Sequence, residues 1–260
     1  MLVVSFMSDK KSGILVLVEG AKTDVRLMRH LFKIFGIDDR HEIVAYNTNI
    51  YALYNSIFSE QDPSNLDILL HLKARESDPD IKALLDKRYS EILLIFDLEP
   101  QDPQFAEDKI RKMLDFFSES TDMGKLYINY PMVEAFYHMK SIPDADYNNY
   151  TTSMNELKSG QYKARVNKEN RNGNYTKFAI DKKETSTVIW QNIIKAWRII
   201  NTDTSQENTP PNPTAILEAQ LSKVKDEQII SVLCTCVFYI VDYNAVLINE
   251  YISDISVIKG

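Results

Sequence analysis

Along the chain the spacing of apolar residues changes period several times. "ILVLV" at 14–18 is unbroken and rich in branched side chains, the pattern of a strand buried on both faces. From Thr23 the apolar positions fall at helical spacing: Val25, Leu27, Met28, Leu31, Phe32 and Phe35. Thr23 or Asp24 is placed to cap that helix and Gly36 to end it. The alternation then recurs. The pattern predicts a strand over 41–46, helices over 50–58 and 80–89, and a second buried strand over 91–99 ("EILLIFDLE"). A helix over 103–120 with Pro103 near its first turn, a short strand over 125–131 and the start of a helix in "MVEAFYHMK" follow. Strands alternating with helices predict an α/β domain over residues 10–142: a mostly parallel, Rossmann-like sheet flanked by helices.

Beyond it the pattern loosens. Residues 144–183 are polar and rich in Asn, Tyr and Lys, 186–200 predicts an amphipathic helix, and 201–214 reads as an exposed loop. Two more helices are expected over 214–226 and 227–252. Residues 143–260 are thus expected to form a basic loop segment and a helical C-terminal region packed on the α/β domain. Trp190 and Trp197, seven apart, are placed to line a helix's core face or a partner contact.

The strand ends carry the chemistry. In an open parallel sheet, ligands bind beyond the carboxyl ends of the strands. Glu19 follows the first strand, and Asp97 and Glu99 close another; at i and i+2 on a strand they would share one face. Glu134 follows a third, shorter strand. Carboxylates facing one crevice repel each other unless a divalent cation neutralises them, and an all-oxygen donor set suits Mg2+ or Mn2+. Such a cation polarises a phosphoryl oxygen and acidifies bound water, so phosphodiester hydrolysis is the predicted chemistry. Glu19 is the expected metal ligand or general base, Asp97 and Glu99 the holders of the main cation, and Glu134 the residue orienting a ligand or a second ion. Plainer readings compete at each position: a solvated turn at Glu19-Gly20, a helix cap at Asp102, a helix cap at Glu134, and a core histidine at His138.

Composition narrows the partners. The 260 residues carry a formal net charge of −7, which disfavours a general polyanion binder. Yet between Lys158 and Lys183 lie six Lys and two Arg against Glu169 and Asp181. "QYKARVNKENRNGNYTK" mixes these charges with Tyr162 and Tyr175, which predicts a nucleic-acid-binding segment. Lys163, Arg165, Lys168, Arg171 and Lys177 would meet phosphates and the tyrosines would stack on bases; a merely solvated loop is the alternative. No G-x-x-x-x-G-K-[ST] or G-x-G-x-x-G occurs, so ATP or NAD binding by those routes is not expected. His30, His41, His71 and His138 show no metal spacing. Cys234 and Cys236 lie in an apolar run at a C-x-C spacing, which predicts buried thiols. The chain starts without a basic leader, and its longest apolar run, 229–241, falls short of the roughly 20 residues that span a bilayer, so a soluble cytoplasmic protein is expected.

"ILVLVEGAKTD" followed by "ILLIFDLEPQD" resembles the TOPRIM domain shared by topoisomerases, bacterial primases and a set of nucleases. In that pattern one strand ends in Glu-Gly and a later one in an Asp-x-Asp pair, and the acids bind Mg2+ at a phosphodiester centre. Glu19, Asp97 and Glu99 match the three positions, with Glu99 in place of the usual Asp. "YINYPMVEAFYHM" is similar to the Asn-Pro-x-x-Glu stretch of stand-alone TOPRIM proteins of the RloB-like and abortive-infection (OLD-type nuclease) kind, although here Asn129 lies one position early. "NYTKFAIDKKETSTVIWQNIIKA" resembles a Tyr-x-Lys before an amphipathic helix in the same proteins, which places Lys177 at that lysine. The resemblance covers roughly residues 13–196. It implies a Mg2+- or Mn2+-dependent nuclease acting on tRNA or DNA in bacterial anti-phage defence, in several cases beside an ATPase of the ABC or SMC-like type. It also implies that Lys177 stabilises charge on the phosphate. A topoisomerase or primase is not expected, because 260 residues are too few for the usual accompanying domains. A degenerate TOPRIM module that binds nucleic acid or a partner stays open, and the apolar 229–251 segment is a candidate interface with a second copy or an ATPase.

Overall fold

In the computed structural model, residues 13–58, 63, 66–121, 123–200 and 209–252 are described. The opening residues and 201–208 of the expected loop lie outside them. The elements run β1 (Gly13–Val18), α1 (Thr23–Phe35), β2 (His41–Ala45), α2 (Ile50–Phe58), α3 (Ile68–Arg75), α4 (Pro79–Leu85), β3 (Tyr89–Asp97), α5 (Glu107–Phe116), β4 (Ser118–Glu119) and β5 (Gly124–Asn129). They continue with β6 (Thr151–Ser153), α6 (Met154–Lys158), α7 (Gln161–Glu169), α8 (Lys182–Ile199), α9 (Pro213–Glu227), β7 (Ile229–Ser231), α10 (Phe238–Asn244) and α11 (Val246–Ile252).

The main sheet has the order β2-β1-β3-β5-β4, with the first four strands parallel and the two-residue β4 antiparallel on β5. The fold is therefore α/β with a mostly parallel five-stranded sheet, consistent with a Rossmann-like arrangement. β1 and the second half of β3 are buried on both faces, which is why neither alternates apolar with polar residues. The register sets Val18 beside Ala45 and Ile95, and Asp97 beside Asn129, so the carboxyl ends of four strands share one edge. Gly36 closes α1 in the left-handed conformation (φ 66°), its N–H bonding back to the last turn. One continuous apolar core joins the sheet to α8, α9 and the C-terminal run. Among the described residues no helix is long and apolar enough to cross a membrane.

Several elements differ from the sequence expectation. α3 was not anticipated; Asp67 caps it by accepting from the Leu70 amide at 3.0 Å. The expected 80–89 helix stops at Leu85, because Tyr89 is drawn into the sheet against Gly13. α5 starts at Glu107, and Pro103 sits in the turn before it. "MVEAFYHMK" forms only a 3-10 turn, Val133–Tyr137. The basic segment is not a loop: α7 occupies its centre, anchored by buried Tyr162 and Val166. The single helix expected over 227–252 is broken. Gln228 turns left-handed (φ 55°), β7 pairs with β6, and Leu233 bridges Tyr130 before α10 begins. A uniformly apolar run carries no period to distinguish these outcomes. Ile230 to Val241 are all buried within the chain, whereas Val246 further along the run is 67% exposed.

Candidate metal centre

β1 delivers Glu19 to the shared strand edge. Its backbone still follows the sheet, the N–H donating to Ile95 O (3.1 Å) and the carbonyl accepting from Asn47 N (2.9 Å). The Glu19 side chain turns across β3, where Oε2 accepts from the Asp97 amide at 3.1 Å. β3 ends at Asp97, so Asp97 and Glu99 do not share a strand face as expected. Instead Leu98, fully buried, donates its N–H to Asn129 O (3.0 Å), and Glu99 bends back in a left-handed conformation (φ 41°) with its N–H on Pro131 O (3.1 Å). A non-glycine residue in that region is strained, and such strain clusters at functional sites. The bend brings the three carboxylates together: one oxygen each of Glu19, Asp97 and Glu99 lie within 4.8 Å of one another.

Two further acids border this triad. Glu134, in the 3-10 turn after β5, is buried and raises the proton affinity of Asp24, Asp97 and Glu99. Asp24, read from the sequence as a cap, stands on the first turn of α1 without capping it and is 6% exposed. Its carboxylate lies so near Gly20 that a Cβ there would meet Oδ2 at 2.7 Å, so any larger residue after Glu19 would displace the Asp24 carboxylate. The sequence signal for Asp24 was its position, five residues after the strand-end glutamate, on the turn that faces the sheet edge.

Asn129 also escaped notice as a site residue. It sits beside Asp97 in the sheet and donates Nδ2 to Asp97 Oδ1 at 3.3 Å. Its own Oδ1 accepts from Cys236 N (3.2 Å) and Cys234 Sγ (3.5 Å), so the fully buried cysteine loop fixes its orientation.

Removal from water together with mutual repulsion governs the electrostatics. Burial, then the charges of Glu99 and Asp24, pushes Glu19 up to about 8, against the lowering effect of the Asp97 amide and Lys163. Asp24 is pushed up to about 6, mainly by burial. Asp97 rises well above the carboxylate range through burial and then Glu19, and Glu99 rises by burial. Two carboxylate oxygens, Asp24 Oδ1 and Glu134 Oε2, are buried with no hydrogen-bond partner. Unpaired buried acceptors in a nest of like charge fit a cation as their partner. All the donors are carboxylate oxygens, so the cluster can hold a hard divalent cation, with Glu19, Asp97 and Glu99 as the grouped ligands.

The other predicted site residues are distributed unevenly. Lys177 closes an exposed 3-10 turn, its carbonyl accepting from the Asn172 amide. Among the described residues, Lys163 of α7 reaches the acids, its Nζ 3.5 Å from Glu134 Oε1. Arg165 is engaged by Glu156 (3.0 Å) and Thr151 O (2.7 Å), and Arg171 holds Glu184 with two bonds of 2.6 and 2.9 Å. Lys168 is exposed. Tyr162 is 1% exposed and cannot stack on a base, while Tyr175 is stacked on Tyr137 at 4.0 Å. His138 is a core residue: it bonds Glu169 at 3.1 Å, and burial pulls it down to about 4. Asp102 does not cap α5; it accepts from Asn49 (2.8 Å) and from the Gln104 amide (2.7 Å) in the turn after Glu99. Trp190 is buried in the core, and Trp197 donates to Thr209 O at 2.8 Å.

Comparison of the chain with known protein families, with curated proteins and with solved structures finds no match.

Proposed function

We propose that the protein is a metal-dependent phosphodiesterase of the TOPRIM type, a nuclease that cleaves tRNA or DNA. The observation that carries this reading is the convergence of Glu19, Asp97 and Glu99 to within 4.8 Å at the carboxyl edge of the sheet, beside the unpaired oxygens of Asp24 and Glu134. Mg2+ or Mn2+ would be held by Glu19, Asp97 and Glu99, and when bound it polarises a phosphoryl oxygen and acidifies water. The protein's own part is positioning. The Asp97 amide orients Glu19, Asn129 orients Asp97, and the left-handed bend at Glu99 closes the set. Burial and the neighbouring acids raise Glu19 to about 8 in the metal-free cluster, and a bound cation would hold it ionised as a ligand. Lys163 and exposed Lys168 and Lys177 supply positive charge for a phosphate backbone. The sequence resemblance supports a role in anti-phage defence with an ABC- or SMC-like ATPase as partner.

The test is cleavage by the purified protein of total tRNA, single-stranded DNA and plasmid, with Mg2+ or Mn2+, beside Glu19→Ala. The expected result is metal-dependent cleavage that falls at least 100-fold in the variant. Cleavage that persists unchanged in Glu19→Ala removes the assignment.

A second reading, a degenerate TOPRIM module that binds nucleic acid or a partner, is favoured by one observation: Glu99, a methylene longer than the usual Asp, stands in a strained backbone conformation. Thermal stabilisation by Mn2+ that disappears in Asp97→Asn separates the two, since only a working metal site shows it.

A further inference from the structure

Lys163 was read in the sequence as one of several phosphate-binding residues, and the structure sets it apart from the others. It projects from α7, a short helix fixed at several points. Tyr162 and Val166 are buried, Arg165 is tied to Glu156 and Thr151, and Glu169 bonds His138. The Lys163 side chain stays 57% exposed along its length, yet its ammonium group meets Glu134, whose side chain is 7% exposed. The geometry is that of a residue on the rim reaching into the cleft. Its charge lowers the proton affinity of Glu19, Asp24 and Glu99 as well as pairing with Glu134. Lys163 thus interacts with all five acids, Glu19, Asp24, Asp97, Glu99 and Glu134.

We infer that Lys163 is the resident counter-ion of the metal-free site, that a divalent cation displaces it from Glu134, and that the released ammonium then takes a phosphate oxygen of the substrate. This rests on the metal-site reading above. The reasoning is charge balance. A doubly charged ion placed among these carboxylates repels an ammonium group a few ångströms away. The lysine stem is flexible and solvated, so outward movement is easy, whereas the acids are half-buried or buried on strand ends, on α1 and in the turns after β3 and β5. Lys163 is accordingly a substrate-binding residue that couples metal loading to substrate binding.

The experiment compares wild type, Lys163→Met and Lys163→Arg by titration calorimetry with Mg2+ at pH 8.5, where protons compete least for the acids. A fluorescent single-stranded oligonucleotide in Ca2+ then reports on substrate binding. Lys163 is exposed, so these variants are expected to fold. The expected result is Mg2+ binding at least threefold tighter in Lys163→Met, oligonucleotide binding at least fivefold weaker, and both near wild type in Lys163→Arg. A purely structural lysine would not move the two affinities in opposite directions. Unchanged or weaker Mg2+ binding in Lys163→Met overturns the inference alone. No Mg2+ binding by the wild type overturns it together with the metal-site reading. Tighter Mg2+ binding with unchanged oligonucleotide affinity overturns the phosphate step.

Discussion

Two buried polar clusters in this molecule are built on opposite terms. Around α8, Lys195 is 1% exposed and donates to Tyr147 O (2.7 Å) and Tyr150 O (2.8 Å). Asn192 accepts from Tyr147 Oη (2.7 Å) and Cys234 N (2.9 Å) and donates to Val188 O (2.8 Å). Gln191 exchanges two bonds with the Asp144 backbone, and the Asp144 carboxylate accepts from Lys140 N and Tyr150 Oη. Donors and acceptors are matched there, and the cluster ties the 143–150 segment to the core. At the strand edge the reverse holds: acids face acids, Asp24 Oδ1 and Glu134 Oε2 have no partner, and protons are held up to about pH 8 at Glu19. A matched network is finished by the chain; an unmatched one leaves acceptors that a cation could satisfy. Two carboxylates about 4 Å apart repel by roughly 4 kcal/mol at an effective dielectric constant near 20, so this arrangement costs stability.

The contrast makes removal of a polar group act with opposite sign in the two places. The largest effect is expected at the matched network. Asn192→Ala strands the Tyr147 hydroxyl and the Cys234 N–H, a loss of about 2–4 kcal/mol. The thermal midpoint should fall by roughly 5–12 °C, with the same fall in the presence or absence of Mg2+. Next, saturating Mg2+ or Mn2+ should raise the wild-type midpoint by roughly 5–10 °C, as expected for about 3 kcal/mol of linkage at a hundredfold excess over Kd. In Asp97→Asn the shift should vanish.

Without metal and at pH 8.5, Asp97→Asn should itself raise the midpoint, by about 2–5 °C, because it replaces a buried acid whose ionisation its carboxylate neighbours oppose while keeping the shape that Asn129 holds. A fall there would show that the acid cluster is a matched network after all. A smaller effect concerns pH. Glu19 and Asp24 bind protons more tightly folded than unfolded, so their contribution to stability is full below about pH 4 and is lost as pH rises through about 6 and then about 8. The metal-free midpoint should therefore decline between pH 5 and 8.5, and Glu19→Gln should flatten the decline. Differential scanning fluorimetry across that range measures it. The smallest effect belongs to Lys177→Ala, expected to shift the midpoint by less than about 1 °C, as for an exposed residue, and to leave Mg2+ affinity unchanged.

What the sequence by itself determined is the local and the periodic. The unbroken runs at 14–18 and 92–96, the helical stripe closed by Gly36, and the alternation of strand and helix follow from burial and backbone chemistry within a few residues. They led to a parallel sheet and so to Glu19, Asp97 and Glu99 at its carboxyl edge, because chain direction places every such strand end on one side. Only the tertiary structure decided how these acids meet. The left-handed turn at Glu99 depends on Pro131 and Asn129 across the sheet. Asp24 joins because α1 packs where it does, and Lys163 arrives from a helix more than a hundred residues further along because Tyr162 and Val166 find pockets in the core. Which lysine faces an acid is a long-range packing question, and charge composition over 158–183 carries no information about direction. Local rules set where the chain can present a carboxylate; which charges then face one another is decided by contacts between segments distant in sequence.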